Sequence, residues 1–115
     1  MTETTTTPLH FADAVPREKN MCGHFAGMAM AHLHAFDRAI LAGSTRGDRR
    51  QASDAHLHPA NAAFAAAAAI KGWGPRKINE ALAFPEGIRE WCCQWLTDAG
   101  MAPEDIGRLT WTVAR

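Results

Sequence analysis

Residues 62–70, AAFAAAAAI, restrict what this chain can become more than any other stretch. Seven alanines surround Phe64, and alanine has the highest helix propensity of any residue. Pro59 suits the first turn of such a helix, where its missing N–H is not needed. The spacing predicts a helix from Pro59 to Lys71, ended by Gly72. Its methyl-covered surface lets neighbouring helices pack closely. The run falls far short of a bilayer span, which takes about 20 apolar residues.

The glycine stop and proline start recur. GWGPRKI at 72 and GMAPEDI at 100 share the pattern Gly-x-x-Pro-x-x-Ile, and a helix-ending glycine before a helix-starting proline accounts for both copies. A short helix is expected from Pro75 to Leu82 or Ala83, and another from Pro85 to about Ala99. A last one opens at Pro103, with Glu104 and Asp105 favourable at its N-terminus. Upstream, Asn20 can cap a helix from Met21 to about Ala42, which Gly43 can end. In that helix Met21, Phe25, Met28, His32, Phe36 and Ala39 fall on one stripe at 3.6-residue spacing. In the helix from Pro85 the stripe is Ile88, Trp91, Cys92 and Trp95, all expected in the core. GSTRGDRRQASD, residues 43–54, reads as the one clear loop.

Valine occurs only at positions 15 and 113 and tyrosine is absent; no segment alternates β-branched residues with period two. The fold class expected is all-α, a compact bundle of about five helices with a helix-turn-helix-like segment. Residues 1–19, with a threonine run and two prolines, are expected to form a flexible tail, and residues 20–115 a single helical domain.

Twelve basic and twelve acidic residues leave no net charge, so no global field draws the chain to nucleic acid or anionic lipid. The three cysteines, Cys22 and the adjacent Cys92 and Cys93, make no spaced disulfide framework and suit reduced thiols. MTETTTTPLH carries neither a basic region nor an apolar core of a signal peptide. A cytoplasmic protein without membrane association is expected. No phosphate loop, dinucleotide fingerprint or Cys–His catalytic signature is present, and Glu86 and Glu90, one helical turn apart, read as solvated acids. Neither an enzyme nor a cofactor is expected.

PRKINEALAFPEGIREW, residues 75–91, resembles the helix-turn-helix DNA-binding superfamily. Its supporting helix carries two apolar anchors four residues apart, a third sits just inside the turn, and two more lie on the recognition helix. Ile78, Leu82, Phe84, Ile88 and Trp91 follow that order, and AAIKGW ahead of them resembles the usual approach to the supporting helix. The chain departs from the pattern at Asn79, where a small residue is usual, at Ala83, where glycine is favoured, and in a Phe84-to-Ile88 spacing one residue short. The resemblance implies a small regulator that binds double-stranded DNA as a homodimer.

Residues 38–77 contain seven Arg or Lys and two acids, a local charge of +5 (7 − 2). Arg46, Arg49, Arg50, Lys71, Arg76 and Lys77 are the candidate phosphate contacts, and Arg89 and Gln94 the candidate base-facing residues. Against this stand Glu86 and Glu90 on the recognition helix. The alternative class is a non-enzymatic interaction module, an adaptor or inhibitor of a larger protein complex, with Glu86, Glu90, Asp98, Glu104 and Asp105 as its binding face.

A third alternative is a small zinc protein. His58 precedes proline, which favours extended backbone, and in an extended segment Asp54, His56 and His58 project from one side as a plausible zinc set. MCGHFAGMAMAHLH, residues 21–34, contains copper-type ligands. On a helix, however, Met21, Met28 and His32 share the apolar stripe while Met30 and His34 point away, so core methionines and a hydrogen-bonded core histidine are expected.

Overall fold

The computed structural model describes residues 8–42 and 45–111. Its centre is α2 (Met21–Ala42), about 33 Å long at 1.5 Å per residue. The Asn20 side chain starts it, accepting the Gly23 N–H at 2.8 Å. A long helical stretch runs antiparallel to it: α3 (Arg46–Ala52), a π-helical turn (Ser53–Leu57) and α4 (His58–Ile70). Cys22 meets Ala67 at one end of this pair and His32 meets His56 towards the other. On another side of α2 lies α6 (Pro85–Asp98), reached through α5 (Pro75–Leu82). It too is antiparallel, since Gly27 lies beside Leu96 and Asp37 bonds Arg89. The single-turn helix α7 (Pro103–Ile106) leads into strand β2 (Leu109–Thr110). Strand β2 pairs in parallel with β1 (Leu9–His10), Leu9 opposite Leu109. The fold is an all-α bundle with this one short ladder among the described residues.

The expected punctuation is present. Gly72 and Gly100 take left-handed backbone, with φ of 91° and 101°. After each, two N–H groups fold back to carbonyls of the last turn: Trp73 to Ala68 and Gly72 to Ala69, Met101 to Leu96 and Gly100 to Thr97. Both are Schellman stops. Each is followed by a helix with proline in its first turn, α5 or α7. The repeated Gly-x-x-Pro pattern is therefore one capping device used twice.

Four expectations are corrected. First, the buried face of α2 is not the Met21–Phe25–Met28–His32 stripe. It consists of Cys22, Gly23, Ala26, Gly27, Ala29, Met30, Ala31, Leu33 and Ala35. α2 packs against α4, α6 and β2 at once, and the alanine-faced α4 comes close only where α2 is also small. The larger Phe25 and Met28 pack at the margin of the core, and Met30, expected to point away, is buried. Second, residues 45–54 are not a loop. Thr45 accepts the Asp48 N–H at 3.0 Å and Asp48 accepts the Thr45 N–H at 3.3 Å, a capping box that starts α3.

Third, the tail expected over 1–19 is structured from residue 8 on. α1 (Phe11–Ala14) follows β1, and Val15 joins the core; residues 1–7, and the expected stop at Gly43, lie outside the described residues. Fourth, Trp91 is 41% exposed, and the α6 core positions are Ile88, Cys92, Trp95 and Leu96.

Candidate functional site

The segment from Pro75 to Trp91 forms two helices, α5 and α6, joined by a short turn. Ile78, Ala81 and Leu82 turn the inner face of α5 onto the core, leaving Arg76, Lys77, Asn79 and Glu80 exposed. Phe84 occupies the N-cap position of α6, and its carbonyl accepts the N–H groups of Gly87 and Ile88. Its ring does not close the turn as the third anchor. It is 69% exposed. Trp91 lies on the margin of α6, where Trp73, Trp95 and Phe64 continue an aromatic cluster inward. Trp73 and Trp91 meet edge to face at 4.9 Å, and Phe64 stacks on Trp95 at 5.6 Å. The Lys77 ammonium lies 4.2 Å from the Trp73 ring centroid and 5.8 Å from that of Trp91, a cation–π arrangement. Beside Trp91 an open recess of about 280 Å³ is lined by Glu90, Trp91 and Gln94.

The two base-facing candidates are engaged within the chain. The Arg89 guanidinium donates to Asp37 at 2.8 Å, and the Gln94 amide to Asp98 at 2.9 Å. Among the phosphate candidates, Arg46, Arg49 and Arg50 project from α3, while Lys71, Arg76 and Lys77 surround the start of α5. All six are exposed. The continuous helical stretch from Arg50 to Lys71 separates the groups by about 30 Å at 1.5 Å per residue. The sequence brought them together as one charge block; the fold sets them at opposite ends of a helix. Of the acidic residues considered for a binding face, Glu86, Glu90, Asp98 and Glu104 are exposed and Asp105 pairs with Arg108 at 2.8 Å.

The zinc set drawn from Asp54, His56 and His58 required extended backbone. The segment is helical instead, and His58 has φ of −65° and ψ of −44°. Pro59 lacks an N–H, and inside a helix its ring crowds the carbonyl one turn back. The wider π turn just before it relieves that crowding, so the chain need not become extended. Asp54 and His58 then face solvent as an i,i+4 pair 3.5 Å apart, while His56 turns toward α2. Among the described residues no three His, Cys, Asp or Glu gather where one ion could hold them.

Four of the six histidines have partners. His10 reaches the carbonyl of Trp111, His24 that of Val15 and His34 that of Leu109; His58 pairs with Asp54. His32 and His56 differ: each has a buried Nδ1 with no hydrogen-bond partner, so the partner expected for His32 is missing at that atom. Burial holds both imidazoles below the ordinary value of 6.5, and each has a second cause, His56 acting on His32 and Arg38 on His56. Trp111, which nothing in its sequence context singles out, stacks on His32 at 5.2 Å and lies 5.5 Å from His56. Next to this group is a cleft of about 470 Å³, lined by Asp48, Gln51, His56 and four alanines of α2, α3 and the π turn. Burial also pushes the thiols of Cys22, Cys92 and Cys93 up, which keeps them protonated and poorly nucleophilic at neutral pH.

No helix among the described residues is long and apolar enough to cross a membrane. Comparison with protein-family models, curated proteins and solved structures yields no match.

Proposed function

We propose that this chain is a non-enzymatic protein-interaction module, an adaptor or inhibitor that docks on a larger cytoplasmic complex through the α5–α6 face. The observation that carries it is Phe84. A phenylalanine 69% exposed, on the same segment as a tryptophan 41% exposed, leaves apolar area in water that a partner can cover, and aromatic anchors dominate the energetics of protein interfaces. The recess lined by Glu90, Trp91 and Gln94 adds a carboxylate and an amide beside an indole face, a place for a polar or cationic side chain of the partner. Intramolecular engagement of Arg89 and Gln94 supports this function over base reading.

The experiment is capture of a stoichiometric protein partner from nuclease-treated extract. The partner is expected with the wild-type chain and lost with Phe84→Ser. Retention of the partner by Phe84→Ser refutes the proposal.

DNA binding by a homodimer of the helix-turn-helix type is the alternative, and one observation favours it. Arg46, Arg49, Arg50, Lys71 and Arg76 are exposed and make no ion pair among the described residues, so they are free to neutralise phosphates. Retarded mobility of double-stranded DNA at low salt, abolished by Arg76→Glu/Lys77→Glu, supports that alternative; no retardation excludes it.

A further inference from the structure

We propose that His32 and His56 are the paired ligands of a divalent transition-metal site, of the zinc or copper(II) class, covered by Trp111. This site is independent of the α5–α6 face. The first observation is the contrast among the histidines: four have partners, and the two in contact each keep a buried Nδ1 with none. Leaving a buried polar atom unpaired is costly, and a shared ion satisfies two such atoms at once.

The second observation is the spacing. With a metal–nitrogen bond of about 2.05 Å, each ring centroid lies ~3.2 Å from the ion, so two rings opening ~110–130° at the metal stand ~5.2–5.8 Å apart. The two centroids are 5.7 Å apart. The third is the backbone. His56 is carried on the π-helical turn, which turns it inward while Asp54 and His58 remain exposed; π turns inside helices occur frequently at functional sites.

Two nitrogens leave coordination positions for water, which the adjoining cleft can supply, with Asp48 and Gln51 on its wall as hydrogen-bonding neighbours. Imidazole suits zinc and copper(II). The Arg38 charge acting on His56 opposes a cation, so the affinity is modest.

The test uses chelator-stripped, full-length protein titrated with Zn²⁺ and, separately, Cu²⁺ by calorimetry. One equivalent should bind, and affinity should fall at least ~10-fold in His32→Phe and in His56→Phe, the scale on which weakening a metal's ligand environment is felt. Phenylalanine keeps a ring against Trp111 and removes the nitrogens. His58→Ala should bind as the wild type. Histidine ring-nitrogen NMR of the wild-type protein with Zn²⁺ gives a second readout that needs no variant: the Nδ1 signals of His32 and His56 should move to metal-bound positions. Absence of binding, smaller losses in the phenylalanine variants, or shifts at other histidines would each overturn the proposal.

Discussion

Two glycines of α2 should respond to the same substitution with opposite signs. A Cβ on Gly23 would lie 2.9 Å from Val15 Cγ1, 3.1 Å from Ala99 Cβ and 3.3 Å from Asn20 Cγ. Ala99 Cβ has no torsion with which to retreat, and Val15 is buried and stiff at χ1. Overpacking of this kind costs about 1–3 kcal/mol. The gain from replacing a helical glycine by alanine is at most about 1 kcal/mol, and less here because Gly23 lies in the first turn. Gly23→Ala should therefore destabilise the fold by about 0.5–2 kcal/mol.

At Gly27 the nearest atoms are Leu96 Cδ2 and Phe11 Cβ, both at 3.6 Å, an ordinary van der Waals contact. Gly27→Ala should stabilise by about 0.4–1 kcal/mol, chiefly by restricting the unfolded chain. Denaturant titrations at matched slopes measure both. Stabilisation by Gly23→Ala would refute the packing of Val15 and Ala99 around α2, and with it the docking of the segment after α1.

Phe64 is fully buried, so Phe64→Ala should cost about 3–5 kcal/mol in the same titrations, whereas Phe84→Ser on the exposed turn should change stability by no more than about 0.5 kcal/mol. Thr45→Ala removes the side-chain half of the capping box and should cost about 0.5–2 kcal/mol, read as faster amide exchange across Arg46–Ala52. Stability should also depend on pH. His32 and His56 are held below 6.5 in the folded chain, by burial first, so the unfolded chain takes up protons earlier as pH falls. Their contribution is complete above 6.5 and is lost as pH drops toward the depressed folded values. In metal-free protein, denaturation midpoints followed downward through that window should fall less in His32→Phe and His56→Phe than in the wild type.

What was legible in the sequence was local chemistry. The glycine stops at 72 and 100, the proline starts at 75, 85 and 103 and the alanine helix are set within a few residues, and each stands where its capping physics puts it. The errors came where partners distant in sequence decide. A single apolar stripe describes a helix with one neighbour; α2 packs against several, α4, α6 and β2 among them, and hides alanines and glycines instead. TRGD over residues 45–48 has the form of a capping box, but the glycine and arginines around it read as a loop. The zinc set failed on the rule that a residue before proline is extended, which the π turn circumvents. Spacing alone makes Phe84 an anchor, but spacing does not show whether a ring at a turn points in or out, and this one points out. The pairing of His32 with His56 spans 24 positions, and no periodic signal links them.

The most direct test of the α5–α6 face is amide hydrogen exchange on the wild-type chain, alone and saturated with its captured partner. New protection should concentrate around Phe84 and along α6 through Trp91 and Gln94, with Arg46–Ala52 unchanged. Protection centred instead on Arg46–Arg50, or appearing there on addition of double-stranded DNA, would contradict the proposed function.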